Sequence, residues 1–180
     1  LTVAVDPAGT GVTEPAEGVH TYAEGSVVQV TATPNSGYEF DEWSGACSGS
    51  GACSVTMDAD KAVTAHFVPD TTAPTVTIEQ AAGQADPTGS SPIAFDVVFS
   101  EPVTGFATGD VSLSGTAGAT TAVVSGSGAV YTVAVSGMTT SGTVIASIPA
   151  GVAQDAGGNG NLASTSVDAT VTYKLPGEGT

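Results

Sequence analysis

Two prolines near the middle of the chain, Pro69 and Pro74 in the run Pro69-Asp70-Thr71-Thr72-Ala73-Pro74, constrain the fold most, because different strand patterns lie on either side of them. Each proline holds φ at about −65° and biases the residue before it, Val68 or Ala73, toward extended backbone. The joint is therefore expected to be short, stretched and stiff, with a separate module on each side. The boundaries that follow are a first module over residues 1–68, a linker over 69–74, a second module over 75–174 and a tail over 175–180. With 180 residues, two domains of roughly 70 and 100 residues can each bury a core.

The apolar residues are mostly Val and Ala, Gly and Thr are abundant, and aromatics reach only 6%, a balance that favours short strands and tight turns and so an all-β protein. Against 18 Asp and Glu stand two lysines, Lys61 and Lys174, and no arginine, for a net charge of −16. Such a field repels phosphate backbones and anionic lipid faces and argues against a nucleic-acid partner. The surplus is either a solubility device or is partly balanced by divalent cations. No apolar run approaches the length of about 18 residues that a membrane helix needs, so direct membrane insertion is not expected. Leu1 opens directly on a strand pattern without a basic and apolar leader, and the sequence reads as a piece of a longer protein. Leu175-Pro176-Gly177-Glu178-Gly179 looks like a sortase sorting signal, but Glu178 stands where Thr is expected and no apolar tail follows, so it reads as linker.

In the first module Leu1 to Val5 alternates as a strand, Asp6 to Gly11 supplies turn residues, and Val12 resumes as the returning arm of a hairpin. Val19 to Tyr22, Ser26 to Thr33, the aromatic stretch Tyr38-Phe40-Trp43, Ser54 to Met57 and Lys61 to Val68 complete the extended segments. The Gly-rich loop between Cys47 and Cys53 holds the only two cysteines, and its glycines let the ends meet, which predicts an intraloop disulfide. A structural zinc site wants four ligands, and a redox pair wants two intervening residues. Closing so short a loop contributes on the order of 2 kcal/mol and implies an oxidising compartment.

The run Ala32-Thr33-Pro34-Asn35-Ser36-Gly37-Tyr38-Glu39-Phe40-Asp41-Glu42-Trp43-Ser44-Gly45, the Cys loop, and Val55 to Phe67 resemble the divergent internalin B-repeats of bacterial surface proteins. The resemblance implies a small β-grasp-like sheet domain without catalytic residues. Tyr38, Phe40, Trp43 and Phe67 are the bulky groups able to anchor its core. Trp43 is read as a core residue under the disulfide loop, with a sugar-stacking platform as the alternative. His20 and His66 read as isolated strand residues, with no carboxylate or serine arrangement that suggests a triad.

The second module is strand upon strand: Thr75 to Glu79, Ile93 to Ser100, Val111 to Ser114, Thr121 to Ser125, Val130 to Val135, Thr143 to Ile148 and Val167 to Tyr173. Alternation in Phe95, Val97, Phe99 and in Tyr131, Val133, Val135 predicts a sandwich with a shared core. Asp70 to Val76, Phe99-Ser100-Glu101-Pro102-Val103, Gly105-Phe106 leading to Asp110-Val111, and Asp155-Ala156-Gly157-Gly158-Asn159-Gly160-Asn161 resemble the bacterial immunoglobulin-like repeats of large adhesins, with Gly158 as an insertion. Such modules act as spacers, and related repeats hold calcium at their junctions. In a Greek-key sandwich the start of the first strand, the turn after the second and the turn before the last share one end. That topology predicts a calcium site from Asp70, Glu101, Asp155 and Asn159, stiffening the joint; the plain alternative is that Asp155 and Asn159 favour a tight turn.

The expected function is a non-catalytic structural segment of a bacterial cell-surface or secreted protein, of the adhesin-stalk type, its modules held in an extended arrangement. Its partners would be neighbouring domains of a longer chain and, beyond them, surface glycans or proteins. The rival is a carbohydrate- or ligand-binding accessory module of an extracellular enzyme, resting on Trp43, Tyr38 and Tyr22. An isopeptide cross-link from Lys61 or Lys174 is a third reading.

Overall fold

A computed structural model describes residues 1–177, and the chain divides into two compact units, Leu1–Thr71 and a second that begins at Thr72. Every regular element among the described residues is a strand. Glu178, in the sortase-like run, and the end of the expected tail lie outside the described residues.

The first unit carries β1 (Thr2–Asp6), β2 (Gly11–Glu14), β3 (Gly18–Val19), β4 (Val27–Pro34), β5 (Tyr38–Gly45), β6 (Cys53–Thr56) and β7 (Ala62–Pro69). They form a four-stranded sheet ordered β3-β1-β7-β5 and a three-stranded sheet ordered β2-β4-β6. The expected opening hairpin is corrected here. β1 runs parallel to β7, with Thr2 opposite Ala62 and Asp6 opposite His66, whereas β2 pairs antiparallel with β4 in the other sheet. The turn residues after Asp6 pass the chain between sheets because the apolar residues of β1 find their partners at the far end of the module. The alternating residues Val3, Val5, Val63, Ala65 and Phe67 bury one face of the large sheet against Val28, Val30 and Val55 of the small one. Gly11 is required at the start of β2, since a Cβ there would come within 2.2 Å of the Phe67 ring.

Strict alternation would put Phe40 and Trp43 on opposite faces of β5. A register shift between Phe40 and Glu42 inserts one residue and rotates the strand, so both rings join the core, 5.0 Å apart, with Phe67 5.7 Å from Phe40.

The second unit carries β8 (Val76–Gln80), β9 (Ile93–Val103), β10 (Ser112–Ser114), β11 (Thr121–Ser136), β12 (Gly142–Ser147) and β13 (Thr170–Tyr173). Two three-stranded sheets, β11-β9-β8 and β10-β12-β13, enclose one core that includes Ile78, Phe95, Val97, Val133, Val144 and Val171. This is the sandwich expected from the alternation. The segment β11 is extended throughout yet reverses on itself, as Thr120 N–H donates to Ser136 O at 3.1 Å and the Ser125 and Thr132 hydroxyls meet at 2.8 Å. Sixteen residues in a straight strand would separate its ends by roughly 50 Å. Gly126 and Gly128, both at positive φ, make the reversal. The last strand is shorter than expected because Ser166, Val167 and Asp168 turn their N–H or hydroxyl groups onto the Glu79 carboxylate instead of continuing the ladder.

Candidate functional site

The Asp155 loop follows the β12 strand and returns through Asn159 and Asn161. Asn161 is buried and its amide is fully engaged: Oδ1 accepts from Ala153 N–H at 2.8 Å, while Nδ2 donates to Pro149 O and Leu162 O at 3.0 and 2.7 Å. That clamp closes the loop's base. Asp155 is also buried, its Oδ1 accepting the backbone N–H of Asn159 at 2.8 Å and its Oδ2 the Asn159 amide nitrogen at 3.0 Å. Burial opposes the charge on Asp155, but the Asn159 side chain and the N–H groups of Asn159, Gly157 and Gly158 outweigh it and hold the carboxyl below its ordinary range. Asn159 therefore orients Asp155 through its Nδ2 and its backbone N–H.

Thr104 at the end of β9 bonds to Gln154 in both directions, at 2.7 and 2.9 Å, and this bridge brings the turn after β9 beside the Asp155 loop. Glu101 and Asp155, both in the second unit, then each bring a carboxylate oxygen within 4.8 Å of the other. Both are hard oxygen donors.

The Cys47–Cys53 disulfide is present, with Cα atoms 5.5 Å apart. The loop it closes lies over Trp43, whose Nε1–H donates to Gly51 O at 3.1 Å and whose N–H donates to Gly49 O at 2.9 Å. Only 4% of Trp43 is exposed, and the ring belongs to the core cluster. The stacking-platform reading of Trp43 is thus corrected: a buried ring offers no face to a sugar. Tyr38 on β5 and Tyr22 in the segment between β3 and β4 do reach the surface. Lys61 makes an exposed ion pair with Asp58 at 2.8 Å, and this hydrogen bond, followed by the lysine charge, lowers the Asp58 pKa.

A second correction concerns His66. Its Nε2 lies 2.7 Å from Ser44 Oγ and its Nδ1 3.1 Å from Asp6 Oδ2, so a serine, a histidine and an aspartate meet on the outer face of the large sheet. The histidine is not isolated. The sequence reading missed this because Asp6 reaches His66 only through the parallel pairing of β1 and β7, and the register that sets Ser44 depends on the β5 bulge. Strand alternation in β7 was the one available signal, since it places His66 opposite the buried Ala65 and Phe67.

Residues 1–71 match the family described as the divergent InlB B-repeat domain, and residues 70–171 match the family described as the bacterial Ig-like domain. Asp70, Glu101 and Asp155 all fall inside the second match. No curated protein and no solved structure matches the chain.

Proposed function

Because the chain belongs, over residues 70–171, to the bacterial Ig-like domain family and carries a divergent InlB B-repeat before it, we propose that it is a non-catalytic spacer in a bacterial surface or secreted multidomain protein. The observation that supports this reading is the division into two compact units, each closed around its own apolar cluster. A module with a private core can be strung between others without borrowing surface from them. The disulfide suits an oxidising, extracellular setting. Its partners are the flanking domains of a longer chain. Residues 1–71 and 70–177 produced separately should each fold cooperatively, and neither should be retarded in polysaccharide-containing gels. Unfolded separate halves, or retardation by a glycan, would overturn the spacer reading.

The same reading assigns calcium to Asp70, Glu101, Asp155 and Asn159. Calcium binds oxygens at about 2.3–2.6 Å, so two ligands on opposite sides of one ion are about 5 Å apart. The Glu101 and Asp155 oxygens, within 4.8 Å of each other, fit that span. Backbone carbonyls and water would complete the shell of about six to eight oxygens, and the bound ion would supply positive charge that neutralises the clustered carboxylates. Calcium at 100 times its Kd should stabilise the second unit by about 2.7 kcal/mol. Calorimetric titration checks this, with Asp155→Asn expected to abolish the heat of binding. A melting curve unchanged between millimolar calcium and chelator sinks the assignment.

A further inference from the structure

We propose that Ser44, His66 and Asp6 form an acyl-accepting site on the outer face of the first unit, with Ser44 as nucleophile, His66 as general base and Asp6 as the residue that positions the ring. This goes beyond the spacer role and does not rest on it. The three residues lie on β5, β7 and β1, which are adjacent in one sheet. Asp6 is in register with His66 across the parallel pair, and Ser44 lies two residues from Glu42, the partner of His66 across the antiparallel pair. A carboxylate only accepts hydrogen bonds, so for the neutral His66 ring the tautomer that satisfies both contacts carries its proton on Nδ1, pointing to Asp6 Oδ2. Nε2 of the neutral ring is then the acceptor, and the Ser44 hydroxyl donates to it. That tautomer and that order of contacts let an imidazole take a hydroxyl proton as the oxygen attacks.

The substrate class follows from the surroundings. The side chains of His66 and Asp6 are 30% and 65% exposed, so the site is open and imposes little shape selection. A net charge of −16, with Glu42 across from the ring, disfavours anionic substrates. Small neutral or cationic activated esters fit. Ser44 Oγ forms a bond to the carbonyl carbon while its proton passes to Nε2. The tetrahedral adduct then collapses, the bond to the leaving oxygen breaks, and the leaving group takes the proton from Nε2, which leaves acyl-Ser44 and a free alcohol. With the oxyanion stabilised by solvent, the rate is expected to be about 10²–10³ below that of a site with a dedicated donor. Single acylation is expected rather than rapid turnover.

The test treats the intact chain with 4-nitrophenyl acetate and maps acetylation by peptide mass spectrometry. Acetyl should appear on Ser44, and His66→Gln should slow that labelling about 10²-fold while the melting temperature stays unchanged. Asp6→Asn should slow it as well while the melting temperature stays unchanged, a loss in labelling rate that a purely structural aspartate would not produce. Acetylation confined to lysine, tyrosine or the amino terminus would overturn the proposal, as would Ser44 labelling indifferent to His66→Gln. Should a variant fail to fold, a neutral fluorophosphonate probe on the unmodified chain decides the matter. Modified Ser44 supports the site, and unmodified Ser44 overturns it.

Discussion

The two units solve the same problem with different means. The first spans Leu1–Thr71 and gathers Phe40, Trp43 and Phe67 into one aromatic cluster, over which a disulfide-closed loop is fastened. The second has no cysteine and places Phe99, Phe106 and Tyr131 edge to face, with centroids 5.1 to 5.8 Å apart, at one end of a longer aliphatic core. The Tyr131 hydroxyl donates to Val103 O at 3.2 Å, so burying it leaves no orphaned donor. The difference teaches how core size sets the need for a staple. Small domains bury a smaller share of their surface, and a cross-link supplements what packing cannot supply.

The largest break in this comparison should come from Phe95→Ala, which empties a fully buried position in the second unit. A loss of about 3–5 kcal/mol is expected there, while the transition of the first unit, followed by Trp43 emission, stays where it was. Calorimetry that shows both transitions moving together would contradict separate cores. Next, replacing Cys47 and Cys53 with Ser should lower only the first transition, by on the order of 2 kcal/mol, leaving the fold intact. A collapse of the first unit on reduction would show that the disulfide defines the fold.

The smallest effect is acid sensitivity. The Asp155 carboxyl is depressed as described, and backbone donation from Val167 and then Asp168 depresses Glu79. A group with its folded pKa below its unfolded value contributes stability above the unfolded value, about 3.9 for Asp and 4.3 for Glu, and loses it as pH falls through the folded value. The second transition should therefore drop as pH falls below about 4. In the first unit Asp58 acts in the same direction, but it is itself exposed and its pair with Lys61 is screened by salt. Added salt should thus flatten the acid response of the first unit more than that of the second, and a reversed ranking in pH-dependent melting would count against these contacts.

Much of this was legible where the determinants are local. Alternation in Phe95, Val97 and Phe99 placed a buried strand face, and the glycines between Cys47 and Cys53 allowed the loop to close. Glu101 and Asp155 could be grouped because sandwich topology brings the turn after β9 beside the loop that carries Asp155. The parallel pairing of β1 with β7 was not legible, since no local signal distinguishes a strand that returns to its neighbour from one that waits for the end of the module. The bulge in β5 was hidden as well: Phe40 and Trp43 break strict alternation, and only the packed rings show which residue is inserted. Ser44, His66 and Asp6 meet through both of these features.

The parallel pairing also has a mechanical meaning. The first and last strands of the first unit lie side by side and point the same way, with five residue pairs in register from Thr2–Ala62 to Asp6–His66. Tension that enters ahead of Thr2 and leaves beyond Pro69 pulls the two strands along their length in opposite senses. Their hydrogen bonds are then loaded together in shear and do not unzip in sequence from an end.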